Sequence, residues 1–130
     1  MKNLYLEKRI YYHDTDAGGV VYYGAYFKHL EEARTEYFRS IGVDLVEYAK
    51  KGVLFPVVHL DVDYKSPARY GDLIRVFTRP EKVSNASLNF IQEIKRGETT
   101  LLTCKAVWAC VNGSLKPTRI PEEIRSKIGL

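Results

Sequence analysis

Residues 11–41 read YYHDTDAGGVVYYGAYFKHLEEARTEYFRSI, and this segment carries the clearest structural pattern of the chain. Its second half has apolar residues at every third or fourth position, which is the spacing of one face of an α-helix. The pattern predicts a helix that begins near Tyr22 or Tyr23 and ends near Ile41, where Gly42 provides a stop. The residues on the apolar face are Tyr26, Phe27, Leu30, Ala33, Tyr37, Phe38 and Ile41.

The first half of the same stretch carries two closely spaced carboxylates, Asp14 and Asp16, followed by the pair Gly18 and Gly19. The glycines let the backbone turn tightly before the helix. A helix N-terminus offers unpaired N–H groups and a partial positive charge, which can hold an oxygen that becomes negative during a reaction. A carboxylate next to such a site suggests acyl-transfer chemistry. Asp14 is predicted to fix the loop through hydrogen bonds to backbone N–H groups.

The apolar pattern changes from helical to alternating after the long helix, and it predicts an antiparallel sheet. One long helix followed by a run of strands is typical of an α+β fold, and no linker divides residues 1–130, so one domain is expected. A first strand with apolar Leu4, Leu6, Ile10 and Tyr12, a short helix over 44–50, and strands over 53–64, 73–83, 87–95 and 99–111 complete the prediction.

Composition excludes several classes of function. Lys and Arg number 20 against 16 Asp and Glu, and this scattered excess favours anionic ligands over nucleic acid. Met1–Ile10 has no signal-peptide pattern and no apolar stretch is long enough to span a membrane, which predicts a cytoplasmic protein. Cys104 and Cys110 share one predicted strand, too far apart for a disulfide. The three histidines show no metal-ligand spacing, and His13 is predicted to lie on the surface or in packing.

Three segments resemble a known family. The run HDTDAGGVVYYGAY, followed by EEARTEYF, is similar to the signature of hotdog-fold acyl-CoA thioesterases of the 4-hydroxybenzoyl-CoA thioesterase type, and within it to the YbgC-like, Tol-Pal-associated branch. VDYKSPARYGD and SNASLNFIQEI resemble the second and fourth strands of that family, so nearly the whole chain is covered. The resemblance implies a hotdog fold, in which a curved antiparallel sheet wraps around one long central helix. Many members of the branch have His where this chain has Tyr23, which bears on the acyl preference.

By the same resemblance, Asp16 is the catalytic carboxylate and the backbone N–H of Tyr23 holds the oxyanion. The carboxylate can attack the thioester directly or activate a water molecule, and the sequence leaves both routes open. Substrate contacts are expected at Gly19, Val20 and Tyr26. Lys65, Arg69 and Lys82 lie near turns that would approach the coenzyme A nucleotide, although exposed solubilising charge explains them equally well.

The resemblance further implies an acyl-CoA substrate, or an acyl group on acyl-carrier protein, with no metal or redox cofactor because coenzyme A is part of the substrate. One helix cannot cover the apolar surface of the predicted sheet, so a homodimer or homotetramer with sites at subunit boundaries is expected. The alternative is a non-catalytic module that binds acyl-CoA or acyl-carrier protein in envelope or phospholipid metabolism. Retention of Asp16 and Gly19 argues against that alternative.

Overall fold

The computed structural model describes residues 5–130 and consists of a five-stranded antiparallel sheet with one long helix packed on it. The strands lie in the order β1-β3-β4-β5-β2. This arrangement confirms the predicted α+β fold. The elements are β1 (Tyr5–Arg9), a 3-10 turn (Tyr12–Asp14), α1 (Tyr23–Ser40), α2 (Leu45–Lys50), β2 (Val57–Tyr64), β3 (Leu73–Val83), β4 (Ser87–Arg96), β5 (Thr99–Ala109) and α3 (Glu122–Ile128).

Helix α1 matches its prediction and packs against β1 and β3. Its buried face includes Leu30 and Phe38, whose side chains meet the inward side chains of the sheet. The ring of Phe38 lies parallel to the indole of Trp108 on β5, with 5.6 Å between centroids. Burial of such large apolar groups stabilises the pairing of helix and sheet.

Several elements differ from the sequence prediction, and one of them is the last strand, which ends at Ala109 instead of residue 111. The first strand ends at Arg9, and Tyr12 belongs to the 3-10 turn, because the chain bends there to bring Asp14 inward. Leu4 lies outside the described residues. Strand β2 begins at Val57 instead of 53, and Leu54 makes only an isolated bridge to Val111. Helix α3 was not predicted at all, because seven residues give little periodic signal.

Strand β2 lies at one edge of the sheet, and its burial differs from that of the inner strands. Leu60 and Val62 on its inward face pair with Ala106 and Cys104 of β5, yet both remain partly exposed. Val58 is 59% exposed. Helix α1 makes its main contacts with β1 and β3 at the other side of the sheet, and the inward face of β2 is only partly covered.

Candidate active site

Asp16 lies on a tight loop between the 3-10 turn and α1. Thr15 and Val21 form an antiparallel bridge across the base of the loop, and the Asp16 N–H donates to the Val20 carbonyl at 2.9 Å. The carboxylate Oδ1 accepts the Gly18 N–H at 2.8 Å, while the rest of the side chain is exposed. The loop therefore holds a solvent-accessible carboxylate in one orientation.

The two glycines of the loop serve different purposes. Gly19 has φ +78°, a left-handed conformation that costs a residue with a Cβ about 1 kcal/mol or more. Gly18 has no positive φ, but a Cβ there would lie 3.3 Å from Asp16 Oδ1. Gly18 thus leaves room for the Asp16 carboxylate, and Gly19 makes the turn.

Helix α1 begins at Tyr23 directly after this loop, with Tyr22 as its N-cap residue. Within residues 5–130 no side chain caps the start, and the first turn of the helix contains no acidic residue that would neutralise its partial positive charge. The Tyr22 N–H donates to the Asp14 carbonyl at 3.3 Å. The N–H groups of Tyr23 and Gly24 have no intrahelical acceptor and can hold a developing oxyanion.

A cleft of about 410 Å³ opens between the loop, the helix start and the end of β2. Asp16, Val20, Tyr23 and Tyr26 line one side, as the sequence predicted, and Lys65 is on the opposite wall. Gly19, by contrast, does not line the cleft and acts through the backbone turn. The volume is in the range of small-molecule sites.

Tyr64 also lines the cleft, and sequence analysis missed it. Its ring lies 4.8 Å from that of Tyr23 and 5.7 Å from that of Tyr26. Burial raises the pKa of both Tyr64 and Tyr26, so their hydroxyls stay protonated at neutral pH. The alternating pattern placed Tyr64 on the inward face of its strand, but only the packing shows that the first turn of α1 lies in front of it.

Asp14 is buried, and the structure confirms its predicted role in fixing the loop. Its Oδ2 accepts the Tyr11 N–H at 2.9 Å. His29, which the sequence analysis did not connect with the site, faces the other oxygen: its Nε2 lies 3.4 Å from Asp14 Oδ1. The sequence did contain one signal for this contact, since His29 is a polar residue on the buried face of α1. His13 is largely exposed, as expected, with Nδ1 3.7 Å from the same carboxylate oxygen.

The predicted phosphate contacts are not all near the cleft. Lys65 lines it, and Arg69 lies on the adjacent turn, bridged to Val20 of the loop before α1. Strand β3 begins at Leu73 beside that turn and carries Lys82 nine residues further, about 30 Å away at 3.3 Å per residue. Lys82 is therefore absent from the cleft of its own chain, and its contact with coenzyme A stays a prediction.

Residues 5–130 show neither a metal-ligand cluster nor a membrane-spanning helix. No cluster of three or more His, Cys, Asp or Glu side chains is arranged to hold a metal ion within this range. None of the helices in it is long and apolar enough to cross a membrane. Cys104 and Cys110 are both buried free thiols, as predicted, and burial raises the pKa of Cys104 to about 11.

Comparison with known proteins agrees with this geometry. The model of the thioesterase-like superfamily matches residues 11–128. The chain is 38% identical to acyl-CoA thioesterase YbgC of Haemophilus influenzae over 120 residues, covering 91% of this chain and 88% of the relative. It is 37% identical to acyl-CoA thioester hydrolase YbgC of Escherichia coli strain CFT073, covering 89% and 88%. A probable thioesterase from Bartonella henselae superposes with TM-score 0.86 at 31% identity, covering 92% of this chain and 100% of that one.

The fold and the cleft define a hotdog-fold thioesterase. The chain belongs to the thioesterase-like superfamily, and the YbgC proteins are among its relatives. Both the family and the fold that the sequence motifs implied are confirmed.

Proposed function

We propose that the protein hydrolyses acyl-CoA thioesters to a free acid and coenzyme A. The observation that carries this proposal is the exposed Asp16 carboxylate on the same cleft as the uncapped start of α1. The relatives named acyl-CoA thioesterases support the same activity. The non-catalytic alternative is not favoured, because a binding module would need neither the carboxylate nor the free helix start.

The thioester carbonyl sits between Asp16 and the helix start. Its oxygen points to the Tyr23 N–H, which stabilises the charge that develops when the carbonyl carbon is attacked. Asp16 acts either as the nucleophile or as the base that activates water. As a nucleophile, the Asp16 carboxylate adds to one face of the planar carbonyl and the coenzyme A thiolate leaves, after which water hydrolyses the acyl–Asp16 anhydride. As a base, Asp16 takes the proton of a water molecule that adds to the carbonyl, and collapse of the tetrahedral intermediate expels the thiolate. Both routes end in the free acid and coenzyme A.

The thioester arm leaves the cleft past the wall that contains Lys65. Lys65 and Arg69 attract the phosphates of coenzyme A, while Val20 and Tyr26 contact the acyl end. An acyl-carrier protein presents the same thioester on a shorter phosphate-bearing arm and is the second acyl donor. The buried free thiols fit a reducing compartment, and we assign the activity to the cytoplasm.

We further propose that the working unit contains at least two copies. Within residues 5–130, strand β2 has one unpaired edge, and its Val58 and Tyr64 are exposed. Antiparallel pairing of two β2 strands about their midpoint would join the sheets and bring the first residues of β2 in one copy next to the last residues of β2, and thus the cleft, in the other. Two such dimers stacked on each other form the homotetramer.

Replacement of Asp16 by Asn tests the activity. Asp16→Asn keeps an oxygen that can accept the Gly18 N–H but removes the charge, so kcat should fall at least about a hundredfold with the fold intact. Asp44→Asn is the matched control, because Asp44 is also exposed and accepts a backbone N–H, that of Val46 at 3.0 Å. The substrates are short, long and aromatic acyl-CoAs. Activity of the parent on none of them would favour the binding module.

A further inference from the structure

We propose that His29 is a positioning residue for thioester hydrolysis, which anchors Asp14 and thereby sets the separation between Asp16 and the N–H groups at the start of α1. The inference rests on the proposed function. His29 itself lies beneath the catalytic loop and does not line the cleft.

The contact between His29 and Asp14 is buried. His29 is 1% exposed and Asp14 is 2% exposed, with 3.4 Å between Nε2 and Oδ1. On its other side, His29 Nδ1 lies 3.7 Å from Glu32 Oε1, and that oxygen accepts the Lys8 ammonium at 2.7 Å. The imidazole thus connects an ion pair at the edge of β1 with the turn before the catalytic loop.

Asp14 links the buried His29 contact to the groups that take part in the reaction. Its backbone oxygen accepts the Tyr22 N–H, immediately before the helix start, and it precedes Asp16 by only two residues. Its side chain holds the Tyr11 N–H. A movement of Asp14 would therefore displace the carboxylate and the oxyanion site relative to each other.

His29 is suited to prevent that movement because it projects from the rigid body of α1, six residues after Tyr23. Within residues 5–130, neither imidazole nitrogen has a hydrogen-bond partner that meets strict geometry, so its polar contacts are those with the two carboxylates. A buried carboxylate that loses a nearby polar group becomes less favourable in its position. The loop would then shift away from the helix, and small misplacements of reacting groups reduce rates strongly.

The test compares His29→Phe, which keeps the ring but removes both nitrogens, with His29→Gln, which keeps a donor near the position of Nε2. His29→Phe should lower kcat about tenfold while KM changes less than about twofold and the protein stays folded at the assay temperature. His29→Gln should restore most of the lost kcat. Arg39→Gln is the control, because Arg39 is an exposed residue in the last turn of the same helix, away from the loop before α1 and from the β2 edge.

A second variant keeps the proposal testable if His29→Phe folds poorly. Asp14→Asn retains an oxygen for the Tyr11 N–H but removes the charge that faces His29, and it should lower kcat by a similar factor. The double variant should lose no more than the larger single loss, since both act through one contact. An unchanged kcat in His29→Phe, or a loss matched by an equal loss of stability in every variant, would overturn the positioning role. A fully active Asp16→Asn would instead overturn the proposed function.

Discussion

The hydroxyl oxygen of Tyr26 accepts a hydrogen bond from the backbone N–H of Ala68 at 2.9 Å, and both residues are buried. This bond joins the first turns of α1 to the segment between β2 and β3. Because Lys65, Ser66 and Pro67 in that segment line the cleft, the bond ties its two walls together. It joins residues 42 positions apart in the chain.

Tyr26→Phe should loosen that connection. The change leaves the buried Ala68 N–H without its acceptor and should cost about 1–3 kcal/mol of unfolding free energy. KM should rise more than kcat falls, because the wall that holds the coenzyme A arm becomes mobile while Asp16 stays in place. Tyr37→Phe is the control, since Tyr37 is a buried tyrosine of the same helix whose hydroxyl makes no hydrogen bond within residues 5–130. Equal effects of both changes on KM would contradict the prediction.

The stability of the protein should depend on pH through His29. Burial lowers the pKa of His29, reinforced by Lys8 and Lys28 and opposed by the carboxylates of Asp14 and Glu32. The unfolded chain therefore takes up a proton near pH 6.5, whereas the folded protein does so only at lower pH. The unfolding free energy should fall as pH drops below about 6.5, because the unfolded state binds more protons there.

Urea unfolding at several pH values between about 5 and 7 measures this dependence. Burial raises the pKa of Glu32, but the hydrogen bond and charge of Lys8 outweigh that effect and the net pKa is lowered, so this carboxylate stays ionised across the window. His29→Gln should show a shallower slope than the parent in the same range. If the unfolding free energy of His29→Gln and of the parent depends on pH with the same slope, then His29 has the same pKa in the folded and unfolded states.

Gly19→Ala should destabilise the catalytic loop through its backbone alone. An added Cβ would meet no atom within 4 Å, so steric contact is not the cause. The left-handed φ of +78° should cost about 1 kcal/mol of unfolding free energy and lower kcat as the loop relaxes. Gly113→Ala is the control, because a Cβ at that site is also free of contacts and the φ is not positive. A similar loss of kcat in both variants would rule out the conformational explanation.

Val58→Lys should separate the subunits. A lysine on the open edge strand places charge in the interface that the β2 pairing would form, so light scattering should show a shift toward monomer at micromolar concentration. The hydrolytic activity should fall as the dimer dissociates, because each cleft then loses the adjacent β2 residues of the partner copy. Val46→Lys is a close control: Val46 is 58% exposed on α2, against 59% for Val58. If the unchanged protein is itself a stable monomer, the proposal that the working unit contains at least two copies is wrong.

Much of the local structure could be predicted from the sequence. The helix over residues 23–40 and the loop before it depend on contacts between residues a few positions apart, and a periodic pattern records such contacts directly. The same locality explains why Asp16 and the start of α1 could be joined into one candidate site. Short elements carry too few repeats, so α3 left no clear signal.

The positions of the other site residues depend on packing between segments that are distant in the sequence. Tyr64 reaches the cleft because β2 lies at the sheet edge, and Lys82 is distant from it because β3 runs away from the catalytic loop. The approach of His29 to Asp14 depends on how the loop folds back over the helix. These contacts join side chains whose spacing along the chain has no fixed relation to their separation in space, so no periodicity reveals them; they follow from the burial of apolar surface by the whole fold.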